Sequence, residues 1–195
     1  MRKVDHDHRR IEVAEAAAKL ISREGMEGLT TRALAKELGC SIGVLSHYFH
    51  NKEEIVIAAF RWADQRIDAR MQAALAEDFT LDTFLPVIRA GLPLDAESDL
   101  EWRVRTNLHT FAMTHKASLK AERDKFVDFR TIIGDMIERL QREGHIRNDI
   151  SAADLTLVMF DLVVGLARNL LMLPLTERED HASYLFRLIE QLRPI

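Results

Sequence analysis

Cysteine, proline and glycine are all scarce in this chain. Of its 195 residues, one is a cysteine, four are prolines and eight are glycines. The single cysteine, Cys40, cannot form a disulfide within the chain, which favours a reducing compartment. Few helix-breaking residues leave room for long helices. With 47% hydrophobic and 30% charged residues, the composition is that of a folded globular protein and excludes the disordered and collagenous classes.

Long hydrophobic runs are also missing. The first ten residues carry charge throughout and contain no unbroken apolar run of the kind found in a signal peptide. The most apolar segment, residues 155–173, is interrupted by Asp161, Arg168 and Asn169. It therefore falls short of the roughly 18 uninterrupted apolar residues of a membrane span. The sequence predicts a cytoplasmic protein without a membrane partner.

The chain has no excess of positive charge. Its formal net charge is -4, which excludes a generally basic nucleic-acid coat. Any binding of nucleic acid must then depend on a local motif with a few basic residues beside phosphates. The candidates for such phosphate contacts are Arg2, Lys3, Arg9, Arg10, Arg32, Lys36 and Lys52. The first four could form an arm at the chain start that reaches toward DNA phosphates, and an inert, solvated end is the equal alternative.

Apolar residues recur at three- and four-residue spacing through most of the chain, which predicts helices. No segment alternates apolar and polar residues long enough for a strand, so the predicted class is all-α with about nine helices. Glycines and prolines mark most helix ends, and Thr30, Ser41, Asn51 and Ser151 are candidate N-caps. The predicted helices cover residues 5–24, 31–37, 41–48, from 52 onward, and then around 81–88, 100–111, 126–140, 155–170 and 176–192.

Residues 29–49 have the pattern of a helix-turn-helix. A short helix is followed by Gly39, which permits a sharp turn, and by a second helix that Ser41 is expected to cap. If the helices pack through Leu34, Leu38, Leu45 and Phe49, the opposite side of the second helix can enter a major groove. That side consists of Ser41, Ile42, Val44, Ser46, His47 and Tyr48.

The same region resembles the TetR family, through residues 25–35 and 41–54. Two positions depart from the family pattern: Ser46 stands where many members have tyrosine, and Cys40 where valine or alanine is usual. The stretch 42–49 and Trp102 look like the BetI-like branch of that family. Together, the motif and the resemblance give a predicted DNA-binding set of Thr31, Arg32, Ser41, Ile42, Gly43, Val44, Ser46, His47, Tyr48 and Lys52.

The resemblance implies a DNA-binding transcriptional regulator, a repressor that binds a near-palindromic operator as a homodimer. Residues 1–50 would form a three-helix DNA-binding domain, and residues 51–195 a larger helical domain for effector binding and dimerisation. A small molecule in the C-terminal helices would change the separation of the two reading heads. No cofactor or metal is expected. The alternative is a helical sensor or adaptor whose N-terminal domain contacts protein, and salt-dependent binding distinguishes the two.

Two further sets of residues are predicted beyond the helix-turn-helix. Aromatic and polar residues after the first domain are candidates for the effector site, with Trp102 suited to a quaternary ammonium through its indole face. The effector candidates are Trp62, Trp102, Asn107, His109, Phe111 and Met136. The apolar residues of the last two helices are candidates for the dimer interface, namely Leu155, Met159, Leu162, Val163, Leu166, Leu170, Tyr184 and Leu188.

Three other patterns admit a sharper interpretation. Residues 39–43 match the G-x-S-x-G nucleophile elbow, but that elbow needs a preceding strand, so we do not expect an enzyme. Residues Asp5–His8 have metal-ligand side chains at a chain start, where a solvated end is the default. Cys40 has the chemistry of a redox switch, although free cysteines usually pack as small hydrophobic residues.

Overall fold

The computed structural model describes residues 2–194, and the side chains of that range except for residues 2–5 and 117. Within this range the chain forms nine helices and no strand, which confirms the predicted all-α class. None of these helices is long and apolar enough to cross a membrane. The helices are α1 Arg2–Gly28, α2 Thr31–Glu37, α3 Ile42–Leu45, α4 Lys52–Ala73, α5 Leu81–Ala90, α6 Ala96–Ala112, α7 Lys116–Arg142, α8 Ala152–Leu170 and α9 Leu175–Glu190.

Side-chain caps begin several helices where the sequence predicts them. The Asn51 side chain accepts a hydrogen bond from the Glu54 amide at 2.9 Å, and the Ser151 hydroxyl accepts one from the Asp154 amide at 3.1 Å. Gly25, where α1 was expected to stop, has a φ of 71° and kinks the helix, which continues to Gly28. The caps by Asn51 and Ser151 satisfy backbone amides that have no partner within their own helices.

The chain divides into two compact units. Unit 1 comprises Met1–Arg66 and Leu100–Arg123, and unit 2 comprises Ile67–Asp99 and Asp124–Ile195. The boundary expected at residues 50 and 51 thus falls inside unit 1. The reason is packing, because Val56 and Phe60 of α4 and Leu108 of α6 belong to the same buried cluster as the first three helices. Residues 1–50 alone would leave that cluster open to water.

Each unit also buries charged side chains with partners. In unit 1, Asp64 accepts a hydrogen bond from the Arg105 guanidinium at 2.8 Å. In unit 2, the buried Arg178 donates to the carbonyl oxygens of Leu173 and Pro93, at 3.0 and 2.9 Å, and pairs with Asp99 at 2.7 Å. Such partners are needed because an unpaired buried charge costs several kcal/mol.

Candidate nucleic-acid interface

The scaffold of the site is α2 with the turn that follows it. Thr30 caps α2, since its hydroxyl accepts a hydrogen bond from the Ala33 amide at 3.0 Å. Leu34 is fully buried and anchors α2 to the core of unit 1. The turn depends on Gly39, whose φ of 61° lies in the left-handed region that other residues rarely adopt. This turn directs the chain into α3.

The second helix of the motif is shorter than expected. The sequence predicts a helix from Ser41 to about Tyr48, whereas α3 covers only Ile42–Leu45. Beyond it the amides of His47 and Tyr48 bond to carbonyls three residues back, which continues the chain as tight turns. The expected cap by Ser41 is also wrong: this residue is extended, and its side chain makes no capping hydrogen bond. Its hydroxyl is therefore available to another partner.

One side of α3 is anchored and the other is exposed. Leu45 and Phe49 are buried in the core of unit 1, and Leu38 is partly buried against it. Ser46, although exposed, donates its hydroxyl proton to the Gly43 carbonyl at 2.8 Å. Of the predicted contact residues in 41–48, Ser41, Ile42, Gly43, Ser46 and His47 are exposed, and Val44 and Tyr48 are half-buried. The predicted contact residue Thr31 at the start of α2 is also exposed.

Tyr48 and Phe49 are held from α1. The Arg10 guanidinium donates a hydrogen bond to the Tyr48 carbonyl and lies over the Phe49 ring, 4.3 Å from its centroid. The rings of His6 and Tyr48 are 4.9 Å apart between centroids. Arg10 is therefore a positioning residue in this structure and not the free phosphate-binding arm that the sequence suggests. No property of the sequence near Arg10 indicates a partner 38 residues away.

The remaining basic candidates near the chain start have different environments. Arg9 pairs with Glu12 at 2.5 Å, and this hydrogen bond raises the pKa of Arg9. The side chains of Arg2 and Lys3 lie outside the described residues. The proposed phosphate arm thus has no described member that is free for DNA.

Basic side chains flank the exposed side of α3. Arg32 and Lys36 on α2 are exposed, and Lys52 at the start of α4 donates to the Met26 carbonyl at 2.9 Å. Glu37 is the acidic residue at the end of α2, and both its oxygens accept hydrogen bonds from Arg23, at 3.2 and 3.1 Å. This pairing lowers the pKa of Glu37 and compensates its negative charge locally. The rim of the site is consequently suited to phosphates.

The predicted dimer residues divide into three groups. Leu155, Met159 and Leu170 are buried within the single chain, so they have little surface left to offer a second copy. Val163 and Leu166 are half-buried, and Leu162, Tyr184 and Leu188 are exposed. The sequence placed the first group in the interface because apolar residues surround α8 except along the stripe of Asp154, Asp161 and Arg168, so their spacing alone does not separate a core side from a partner side. For the same reason it missed Leu157 and Val158, which are exposed.

Most of the predicted effector residues already have partners within their own unit. Trp102 is buried, and the Arg105 guanidinium lies 4.9 Å from its ring centroid. Asn107 donates to the Arg103 carbonyl at 2.9 Å, and His109 is 3.2 Å from a Glu122 oxygen. Phe111 stacks on His115, with 3.6 Å between the ring centroids. Met136 is half-buried in unit 2, and Trp62 lines a groove in unit 1.

The other sequence patterns gain no support from the geometry. Ser41 follows the α2 turn and not a strand, so the nucleophile-elbow interpretation lacks its required context. Among the described side chains no three His, Cys, Asp or Glu residues come together as a metal site, and Asp5 lies outside them. Cys40 is half-buried and packs against the core of unit 1.

The arrangement as a whole defines a class of protein. A scaffold helix, a glycine turn and an anchored second helix present small, polar and imidazole groups between basic residues, which is the geometry of a helix-turn-helix DNA reader. Comparison with known proteins agrees with this class. Residues 13–59 match the family model described as bacterial regulatory proteins, tetR family.

Two curated relatives are similar over most of the chain. The HTH-type transcriptional regulator PksA of Bacillus subtilis is 28% identical over 181 residues, which cover 92% of this chain and 86% of PksA. The HTH-type transcriptional repressor AcnR of Corynebacterium diphtheriae is 30% identical over 146 residues, which cover 73% of this chain and 70% of AcnR. The chain belongs to the TetR family and is a DNA-binding transcriptional regulator, not an enzyme. The narrower BetI-like resemblance stays a prediction.

Solved structures share the fold. A TetR-family regulator from a Rhodococcus species superimposes with a TM-score of 0.81 at 20% identity, over 96% of this chain and all of that one. A regulator from Saccharomonospora viridis, solved in complex with choline, gives a TM-score of 0.82 at 22% identity, over 93% of this chain and 96% of that one. These likenesses confirm a helix-turn-helix followed by a larger set of helices.

Proposed function

We propose that this regulator is a repressor that binds a near-palindromic operator as a homodimer. The exposed side of α3, with its basic rim, carries this proposal. In the single chain that side belongs to a helix of four residues, so one copy can contact only a few base pairs. Two copies related by a two-fold axis would read two half-sites spaced by whole turns of DNA, about 34 to 36 Å each.

An apolar surface in unit 2 supports the homodimer. Large side chains on α8 and α9 remain exposed in the single chain, among them Leu157, Val158, Leu162, Tyr184 and Leu188. Each is 41 to 68% exposed, so covering it would contribute about half of the roughly 1.5 to 3 kcal/mol of full burial, and a second copy of the same surface is a favourable partner. We name these five residues the α8–α9 surface.

We further propose that residues 1–50, with Lys52, read the operator, and that the remaining helices provide dimerisation and effector binding in the cytoplasm. This division is one of function and not of compact units, because residues 51–66 and 100–123 belong to the same unit as residues 1–50. A small-molecule effector is consistent with the choline complex of the Saccharomonospora regulator. Because Arg105 already lies against Trp102, a cationic effector would have to displace it to use that ring.

Selection of duplexes from a random DNA pool tests the operator proposal. We expect an enriched near-palindrome, and affinity for it that falls steeply with salt, with a log-log slope near -0.9 per phosphate neutralised. Enrichment of a single half-site by a monomer would contradict the homodimer. A folded dimer that enriches nothing at low salt would contradict operator reading.

Release of the selected operator tests the effector. Choline and an uncharged lipophilic compound represent the two ligand classes that the sequence leaves open, and each is titrated into the operator complex. A ligand that binds the free protein more tightly than the complex lowers operator affinity by the ratio of the two affinities. If a compound saturates the free protein but leaves operator affinity unchanged, regulation by that compound is contradicted.

A further inference from the structure

A groove of about 370 Å³ lies between α1 and α4 in unit 1. This volume is within the range of small-molecule sites, roughly 300 to 1,000 Å³. Its floor is apolar: Ile11 and Ala14 come from one side of α1, and Ile57 and Trp62 from one side of α4. Ile11 is 57% exposed, so much of its apolar side chain is in contact with water in the single chain. An apolar ligand group lying on this floor would remove that surface from water.

The charged groups at the edge of the groove are not equivalent. Arg10 is engaged with the Tyr48 carbonyl and the Phe49 ring. Glu54 accepts a hydrogen bond from the backbone amide of His50 at 3.0 Å, and the same oxygen is 3.3 Å from the His50 ring nitrogen. The pKa of Glu54 is lowered, mainly by the backbone hydrogen bond. Arg61 is exposed and makes no hydrogen bond or ion pair with any described residue.

The groove therefore combines an apolar floor with one cation, Arg61, that has no partner among the described side chains. A guanidinium in that position prefers a carboxylate, sulfate or phosphate, which it can bind through two parallel hydrogen bonds. A cationic ligand would meet two arginines and only one carboxylate, which His50 already engages. Charge complementarity selects an anion.

We propose that the groove between α1 and α4 is a binding site for an amphipathic organic anion. The apolar part of the ligand lies against Ile11 and Trp62, and its anionic group binds Arg61. The residues that form the groove all belong to the unit that carries the helix-turn-helix, and Trp62 is the one effector candidate from the sequence that lines it.

Arg10 couples this groove to the DNA-reading segment. It lines the groove and also holds the backbone at Tyr48, directly after α3. An anion in the groove competes with the Tyr48 carbonyl for the Arg10 guanidinium, so ligand binding changes the constraint on the end of the reading segment. This coupling rests on the proposed operator reading, whereas the binding site itself does not.

Tryptophan fluorescence of the full-length protein tests the site with octanoate as the probe. The chain has two tryptophans, of which Trp62 lines the groove and Trp102 is buried. We expect a saturable change with octanoate that Trp62→Phe abolishes, and weaker responses to octanol and octylammonium. Arg61→Gln should weaken octanoate binding about tenfold, the usual effect of losing a charge-assisted contact. The matched control is Arg123→Gln, an exposed arginine of unit 1 outside the groove.

Two fluorescence results would overturn the site. One is the absence of a saturable Trp62 response, and the other is equal affinity for octanol and octanoate, which would remove the role of charge. Neither measurement needs DNA, so failure of the operator proposal leaves this test intact.

Operator binding tests the coupling and an alternative role of Arg61. Saturating octanoate should change operator affinity at least about threefold in the wild type and, at the same concentration, less in Arg61→Gln. An unchanged operator affinity at saturation would overturn the coupling. If Arg61→Gln alone lowers operator affinity and reduces the salt slope by about 0.9, Arg61 is a phosphate contact and the proposed ligand site is wrong.

Discussion

The exposed sides of α3 in unit 1 and α8 in unit 2 differ in chemistry. Around α3, a helix of four residues, the exposed groups include the hydroxyls of the flanking Ser41 and Ser46 and the imidazole of His47. On α8 they include Leu157 and Leu162, on a helix of nineteen residues. Apolar surface gains free energy from any covering that excludes water, whereas the polar groups gain only from a partner with matching donors and acceptors.

This difference distinguishes a surface for a lasting partner from one for a selective partner. A second copy can cover the α8–α9 surface without precise polar matching, which suits a constitutive dimer. The α3 surface offers few apolar contacts beyond Ile42, which is 49% exposed, so its affinity must come from base edges and phosphates. Substitutions in the two surfaces should consequently affect different measurements.

The largest expected effect is the loss of the dimer on charging the α8–α9 surface. Leu162→Glu would place a carboxylate in an apolar interface, and we expect the dimer dissociation constant to rise at least about a hundredfold. Analytical ultracentrifugation measures it. Met113→Glu is the control, because Met113 is an exposed hydrophobic residue of unit 1 outside this surface. Unchanged dimerisation of Leu162→Glu would show that the apolar surface has another role.

Removing the imidazole from α3 should affect specificity and leave dimerisation unchanged. His47→Ala is expected to weaken the selected operator about tenfold, with little effect on random duplexes or on the salt slope. Lys52→Gln provides the contrast, because loss of a phosphate contact weakens all duplexes alike and lowers the salt slope by about 0.9. Competition titrations at several salt concentrations separate the two patterns. Full operator specificity of His47→Ala would refute the assignment of that residue.

The turn before α3 should respond to backbone strain. Gly39→Ala is expected to lower the free energy of unfolding by about 1 kcal/mol, because alanine disfavours the left-handed conformation. An added Cβ has no neighbour within 4 Å, so steric clash does not contribute. Gly134→Ala in α7 is the matched control and should stabilise by up to about 1 kcal/mol, since it replaces glycine inside a helix. Urea unfolding measures both, and equal effects would contradict the role of φ.

The smallest effect separates a helix cap from an exposed hydroxyl. Thr30→Ala should cost about 0.5 to 1 kcal/mol in stability, because the capping bond to the Ala33 amide is lost. Ser41→Ala should change stability by less than about 0.5 kcal/mol but weaken operator binding. Urea unfolding and operator titration, applied to both variants, give the comparison. A larger loss of stability for Ser41→Ala would contradict the absence of a cap at α3.

Local sequence patterns predicted much of the fold and part of the site. The spacing of apolar residues gives the helices, Thr30 and Asn51 cap where expected, and Gly39 makes the turn. These features depend on residues only a few positions apart. The length of α3 was wrong because nothing local distinguishes a helix from consecutive tight turns over residues 46–48.

Long-range contacts account for the remaining differences. Arg10 reaches the Tyr48 carbonyl across 38 positions, and α4 packs with the first three helices to complete their core. The sequence by itself determined the helical class, the helix-turn-helix and the family resemblance, because each is written in short-range spacing. Only the tertiary structure decided which apolar residues of α8 are buried in the single chain and that Arg10 is engaged whereas Arg61 has no partner among the described residues. Both depend on where distant helices pack, which the residue spacing within one helix does not specify.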